Sequence, residues 1–538
     1  MRSAVLYSGS LQRSLSLSEV ILVNTSEPLH QRNLDVSATA ATREFLREYW
    51  LRFVAICAVV VIPCVWHHHL EAGDVPSHLY NAWLAQLIVK GQLPGLFLVH
   101  QWNNVLFDFT LSGLGNLVGL GAAEKIVVSS AVLIFFWGAF ALVCSVSHTG
   151  NLKRIPWFLT PCLAVFAYGY TFQMGFMNYY VSIGLAFFGL ALLARSDVRS
   201  IRSVLREGRF AIFLIPLIWL AYPLGLVVFV SVGVYILLVK RLSPARQVYL
   251  FFTSVLILLA LHFYIEFRHW DLSWKEGIGQ MENGADQLLL YAAHDLLPFY
   301  LLQVLFLAYL LVDAKRGWRT PQWWQSYLLP VQLYSLALVA IGLLPSFMVV
   351  SHRFGKMGAI GFLSERLTSV AAILACCLLA QIKPERWHFA GFVALAAIFF
   401  WYLYWDTLTI SSIEDQMDRL VASLPPGQRV ITKKFYLPGL RVSVNHTIDR
   451  ACIGRCFSYD NYEPPSGQFH VRVQAENPFV LPRMEDDLAV RKGNYIVQQR
   501  DLPLYEIYEC NPGTTTLCIS KLKAGQENGH IDTSLASQ

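Results

Sequence analysis

Charge is the scarce ingredient of this chain: Asp, Glu, Lys and Arg make up 14% of its 538 residues, against about 25% in soluble domains. That shortage excludes a purely soluble protein, and 55% hydrophobic residues with a mean hydropathy of +0.45 point the same way. A strong basic excess is missing too. The formal charge of +6, from 42 Lys and Arg against 36 Asp and Glu, is too small for a nucleic-acid footprint. It asks only for loops that face an anionic leaflet. Neither a Walker A sequence nor a Rossmann glycine fingerprint occurs, so a soluble-nucleotide enzyme has no motif support. Residues 1–50 lack the basic start, apolar stretch and cleavage site of a signal peptide, and are expected to form a cytoplasmic arm.

What the chain has in quantity is apolar runs, to be weighed against the ~20 residues that a crossing helix needs. Eleven spans are expected, at roughly 51–66, 125–147, 157–172, 177–194, 210–221, 223–239, 247–265, 286–312, 323–345, 357–381 and 387–405. The run from Phe210 to Val239 is too long for one ordinary span, and Tyr222-Pro223 sits where a turn would divide it. The stretch Val105–Gly121 is short, Gly-rich and contains Asp108, which favours a re-entrant or interfacial segment. The expected fold is therefore a polytopic α-helical membrane protein: a transmembrane domain at 51–405 with a large first outer loop at 67–124, then a small α/β or mainly β extracytoplasmic domain at 406–538 with a disordered tail.

The basic residues set the orientation, because short cytoplasmic loops retain Lys and Arg. With the N-terminus inside, the inside loops carry Lys153 and Arg154, five arginines from Arg195 to Arg209, Lys240, Arg241 and Arg246, Lys315, Arg316 and Arg319, and Lys383 and Arg386. The outside connections hold only Lys90, Arg268, Lys275, Arg353 and Lys356, with Lys125 at a membrane edge. This places the chain in a cytoplasmic membrane with its C-terminus outside.

Six of the ten cysteines lie within expected spans, where a buried apolar role suffices. The other four, Cys452, Cys456, Cys510 and Cys518, lie in the polar tail, and an even number in an exported segment favours disulfides. Three connectivities are possible, with pairing inside each close couple preferred. The rival is a zinc site, since Cys452-x3-Cys456 has ligand-like spacing.

Ionisable groups in apolar surroundings are costly and therefore mark function. After the first span comes His67-His68-His69-Leu70-Glu71-Ala72-Gly73-Asp74-Val75-Pro76-Ser77-His78, leading into an amphipathic helix. Pro76 suits a first helical turn, and Asp74 or Ser77 can cap it. Asp74 and His78 stand four residues apart, so an early helix start puts them on nearly one face, a pairing suited to proton abstraction or metal coordination. A divalent metal at Glu71 and Asp74 is one such use. The triple histidine has metal-ligand chemistry, but successive helical residues diverge, so an interfacial loop is expected there. Gln101, Asn103, Asn104 and Asp108, then Gln173 and Asn178, then His294 and Asp295, and finally Glu365 and Arg366 fall at the same outer depth as candidate substrate-binding groups. Glu365 and Arg366 have a plainer reading as an ion pair or a lipid-headgroup contact. Arg366 can instead grip a phosphate through its planar fork.

On the stretch Gly73-Asp74-Val75-Pro76-Ser77-His78-Leu79-Tyr80-Asn81-Ala82 after span one, with Gly175-Phe176-Met177-Asn178-Tyr179-Tyr180, Tyr222-Pro223-Leu224-Gly225 and Glu365-Arg366-Leu367, the layout resembles the type C integral-membrane glycosyltransferases. The resemblance implies a sugar taken from a polyprenyl-phosphate carrier on the outer face, with Asp74 as the catalytic carboxylate; beside it His78 is expected to orient or share protons and Arg366 to stabilise charge on the departing phosphate. Membrane lipids and an acceptor glycan, lipid or protein are then the partners. Many members carry two adjacent acids where this chain has Glu71 and Asp74 separated by two residues. A transporter or flippase of a lipid-linked or small polar solute is the competing reading, though it would favour ionisable groups near the midplane. The orientation is open to direct measurement: a reporter fused after Cys518 is expected to behave as exported, and cytoplasmic behaviour would invert the scheme.

Overall fold

A computed structural model describes residues 47, 49–147, 155–196, 201–267, 271–273, 283–349, 359–433, 440, 446–474, 477–511 and 513–528. Most of the expected N-terminal arm, the end of the tail, and Lys153, Arg154, Arg199, Arg268, Lys275, Arg353 and Lys356 lie outside them. The chain divides into two compact units, Met1–Val59 and Val60–Gln538, and all contacts below belong to the second.

Apolar helices dominate. After α1 (Tyr49–Cys64) come α2 (Val75–Val89), the short strand β1 (Leu96–Leu98), α3 (Leu106–Val118) and α4 (Leu120–Val146). Next are α5 (Thr160–Ala167), α6 (Tyr170–Gln173), α7 (Met177–Arg195), α8 (Ile201–Ala221), α9 (Pro223–Val239) and α10 (Pro244–Phe267). The strand β2 (Asp271–Ser273) precedes α11 (Leu296–Gly317) and α12 (Pro321–Leu343), which lead to β3 (Phe347–Val349), β4 (Ala359–Gly361), α13 (Leu363–Leu379) and α14 (Arg386–Ala422). Among the described residues, six helices are long and apolar enough to cross a membrane: α4, α7, α10, α11 with its preceding turn, α12 and α14. On α10, Phe252, Leu256, Ile257 and Phe267 are all exposed, a continuous apolar face that suits lipid and not water.

Several expected spans have other shapes. The stretch 157–172 is not one rod, because α5 and α6 are separated at Tyr168-Gly169; there Gly169 lies against Gln287, and the Tyr168 hydroxyl donates to the Val60 carbonyl at 2.6 Å. Residues 285–292 are a buried turn, so the span expected from 286 begins only at Ala293. By contrast, the run 210–239 divides at the expected place: Tyr222 is extended (φ −163°, ψ 131°) ahead of Pro223, as a residue before proline prefers. Helices α4 and α7 meet backbone to backbone, and a Cβ on Gly138 would stand 2.2 Å from the Gly184 carbonyl oxygen. Where lipid is as apolar as the side chains, such close approach of small residues is a main source of helix association. At the centre, α13 is buried along almost its whole length.

The C-terminal segment is a mixed α/β unit. Its strands β5 (Gln428–Thr432), β6 (Cys456–Ser458), β8 (Leu504–Glu509) and β9 (Leu517–Lys521) form a sheet in the order β6-β5-β8-β9; the first two pairings are parallel and the last antiparallel. Helices α15 (Thr447–Cys452), α16 (Glu463–Ser466) and α17 (Met484–Lys492) complete it, with a core of Ile431, Tyr459, Leu481, Val490, Tyr495 and Leu504. The four tail cysteines stand at disulfide distance as Cys452–Cys456 and Cys510–Cys518.

This unit is built into the rest of the chain. The 37-residue α14 runs without a break through the expected boundary at 405/406. Strand β7 (Val471–Val473) pairs antiparallel with β1 of the first loop. Asn81 and Asn461 exchange amide hydrogen bonds at 3.1 and 2.9 Å, and the Ser458 N–H donates to the Tyr80 hydroxyl at 3.0 Å. Arg450, on α15, makes the charged tie: its guanidinium donates to Glu414 of α14, to Glu124 of α4 at 2.7 Å and to the Leu70 carbonyl at 2.7 Å. Replacing Arg450 with Met would leave buried carboxylates without their cation, a loss of about 3–5 kcal/mol. The measurable outcome is a marked fall in melting temperature of the detergent-purified protein, and an unchanged melt would show that the tie is dispensable.

Candidate functional site

Helix α2 begins where the sequence places it, with Pro76 in its first turn and Asp74 at the N-cap. The Asp74 side chain makes no capping hydrogen bond, so capping does not account for its carboxylate. It stays about a quarter exposed, with Oδ1 3.9 Å from Nε2 of His446. The backbone beneath it is packed tightly. The Asp74 N–H donates to the Met174 carbonyl at 3.3 Å, and Gly175 (φ +75°) lies so close that a Cβ would come within 2.2 Å of the Asp74 nitrogen. Only glycine fits that position without displacing the carboxylate.

His78, one turn along, is held by Asp108 of α3 at 2.7 Å, with Glu463 at 4.0 Å. Asn178, at the start of α7, donates to the other Asp108 oxygen at 2.7 Å and to the Asn104 carbonyl at 3.2 Å, while accepting from the Phe107 N–H at 2.8 Å. The sequence candidates Asn104, Asp108 and Asn178 thus converge on His78.

Arg366, in the first turn of α13, is packed among aromatic rings, its Cζ 4.3 Å from the centroid of Phe176 and 4.8 Å from that of Tyr222. Nη1 donates to the Tyr222 hydroxyl at 2.5 Å, whereas Nε is buried without a hydrogen-bond partner among the described residues. The turn Met174–Phe176 touches Asp74 at one end and Arg366 at the other.

Other candidates lie elsewhere. Glu71 does not join Asp74; it is buried facing Glu414, Arg450 and Glu124, and burial pushes its carboxyl well above the ordinary range. The expected shared metal site therefore lacks one of its two ligands. His294 instead pairs with Asp406 at 2.9 Å, and Asp295 spends one oxygen on the N–H groups of residues 290–292 at 2.7–2.9 Å. Gln101 donates to the Gln468 carbonyl at the loop's edge, and Asn103 is half-buried with no side-chain partner among the described residues. Glu365 is buried and accepts from Ser364 at 2.8 Å. Gln173 accepts from the Tyr291 hydroxyl.

The C-terminal segment supplies what sequence reasoning missed. His446 and the fully buried Asp449 stand 3.4 Å apart beside Asp74, and Tyr462 and Glu463 close the same side. For Tyr462 and Glu463 the signal was present as Asp460-Asn461-Tyr462-Glu463-Pro464-Pro465, a polar and aromatic run just after the Cys452–Cys456 couple. Among the described residues, the three with positive φ that are not glycine are Asn104 (55°), Phe362 (55°) and His446 (63°), and each flanks this region. Non-glycine residues in left-handed backbone cost energy and concentrate at functional sites.

Burial alone would lower the His78 imidazole, but Asp108 opposes it, with Glu463 and Asp74 behind, and the group is held protonated up to about 9. Burial likewise opposes the charge on His446, and Asp449 and Asp74 outweigh it. Burial pushes Glu463 well up despite His78. The set can therefore hold protons next to the partly exposed carboxylates of Asp74 and Asp108.

Because the folded-state value of His78 lies above its ordinary 6.5, its stabilisation is complete below pH 6.5 and is lost as pH rises through about 9. The loss amounts to about 3 kcal/mol at ~1.4 kcal/mol per unit. Melting temperature should fall across that window, and more shallowly in His78→Gln; equal slopes would remove His78 from the network. In comparisons with known protein families, curated proteins and solved structures, the chain matches none.

Proposed function

We propose that the protein is a membrane glycosyltransferase that moves a sugar from a polyprenyl-phosphate carrier to an acceptor at the outer face of the cytoplasmic membrane. The observation that carries this reading is Asp74, a carboxylate at a helix start that does not cap the helix and that remains about a quarter exposed beside His446 and the buried Asp449. In this role Asp74 accepts the proton of the acceptor hydroxyl as the new glycosidic bond forms. His446 and the His78–Asp108 pair hold the surrounding charge and fix the carboxylate's orientation.

Arg366 supplies the matching electrophilic group. Its stacked guanidinium is preorganised, and the unpartnered Nε leaves a donor for an oxygen of the departing lipid phosphate. The donor's isoprenoid chain belongs in lipid beside the exposed apolar helices, which keeps its phosphate at the depth of α13's first turn. On the expected scheme of eleven spans with the N-terminus inside, this face lies outside, and the disulfide-distance cysteines of the tail suit an oxidising compartment.

Purified protein offered a panel of radiolabelled polyprenyl-phosphate sugars should transfer one of them. Asp74→Asn keeps the shape and removes the base, so turnover should drop by about 10²- to 10⁴-fold with folded protein retained. Arg366→Lys should also impair turnover by losing the fork. Full turnover by Asp74→Asn would sink the assignment.

A further inference from the structure

The triple histidine finds no use in the proposed reaction, and its surroundings have a chemistry of their own. His67 turns away, its Nε2 3.0 Å from the Tyr404 carbonyl oxygen. His68 and His69 converge, contrary to the divergence expected of helical neighbours, because the chain after α1 is a series of bends. His68 Nδ1 and His69 Nε2 each stand 3.1 Å from Asp415 Oδ1, and Asp418 Oδ2 stands 3.4 Å from the same His69 nitrogen. The donor atoms of His68, His69 and Asp415 all lie within 4.8 Å of one another. Ligands at 2.0–2.1 Å from a tetrahedral metal are separated by about 3.3 Å, which these spacings approach.

Hydrogen bonding alone does not satisfy the arrangement. The other His69 nitrogen, Nδ1, faces Glu414 Oε2 at 3.3 Å, so three carboxylates surround one imidazole. Even doubly protonated, His69 has a single proton on Nε2 for Asp415 and Asp418 together. Negative charge is in excess behind it. Glu71, Glu124 and Glu414 share the Arg450 guanidinium, and Oε1 of both Glu71 and Glu414 is buried without a hydrogen-bond partner among the described residues. A buried carboxylate on the distal nitrogen of a ligating histidine is the usual outer support of a metal site.

We propose that His68, His69 and Asp415, joined by Asp418, bind a divalent transition metal of the zinc class, with Glu414 fixing the ring of His69. Two imidazoles and carboxylates suit zinc better than magnesium or calcium, which prefer all-oxygen shells. Four protein ligands make a closed, structural site. It would clamp the chain leaving α1 to the outer part of α14, apart from Asp74 and independently of any transferase activity. The exposed side chains of His68, Asp415 and Asp418 give the ion its entry path.

The test uses full-length detergent-purified protein carrying no polyhistidine tag, stripped with chelator and dialysed against zinc sulfate alone. Elemental analysis should find about one zinc per chain, and His68→Asn and Asp415→Asn, both at exposed positions, should lose it. Asp406→Asn, in the separate His294 cluster, should keep it. Cobalt in place of zinc should give the intense visible bands of a tetrahedral site in the unaltered protein, a readout that needs no variant to fold. An unaltered protein that binds no zinc, zinc retained by both His68→Asn and Asp415→Asn, cobalt spectra of an octahedral aquo ion, or loss confined to Asp406→Asn would each overturn the proposal.

Discussion

The placement of the C-terminal segment turns on one buried guanidinium. Arg450 sits among carboxylates from the first loop, α4 and α14, and none of these elements is adjacent to α15 in sequence. A buried charge must be paired and hydrogen-bonded, and a guanidinium with several donors can serve several partners at once. The neighbouring residue, Asp449, stands against His446, whose other ring nitrogen faces Asp74. The charged tie and the candidate site are two faces of one short helix.

That dependence explains what the sequence disclosed and what it withheld. Local signals were readable: Tyr222-Pro223 ended one helix and began another, Pro76 marked a first turn, and the close cysteine couples lay at disulfide distance. Each needs only a few consecutive residues. Apart from Asp108 on α3, the ionisable partners of Asp74 and His78 come from positions more than 300 residues later. Glu71 shows the difference most sharply. Its closeness to Asp74 along the chain suggested a shared ligand, but three residues and a sharp turn are enough to point it at Arg450 instead. Span counting met the same limit, since α5 and α13 are apolar but short, and burial inside protein looks like burial in lipid when only hydropathy is read.

The site also shows how strain and packing divide their labour. Left-handed backbone at Asn104, Phe362 and His446 is held by surroundings that leave little alternative: an amide on the Asn104 carbonyl, an aromatic contact on Phe362, and a buried carboxylate beside His446. Such positions aim groups that relaxed geometry would not. The Gly175 contact under Asp74 works differently, by removing a side chain so that two backbones touch.

Helix α14 carries a mechanical implication. At 1.5 Å per residue its 37 residues span about 55 Å, some 25 Å more than a hydrocarbon core. Its C-terminal third therefore extends beyond the length that a hydrocarbon core can hold and packs against the C-terminal segment, and the carboxylates at 414, 415 and 418 are positioned by the phase of the same helix. Inserting one residue after Trp405 would turn that third by 100° and carry all three off the faces they now present to Arg450 and the histidines. Phase along a single helix sets the register between the lipid-embedded part of the molecule and the part outside it.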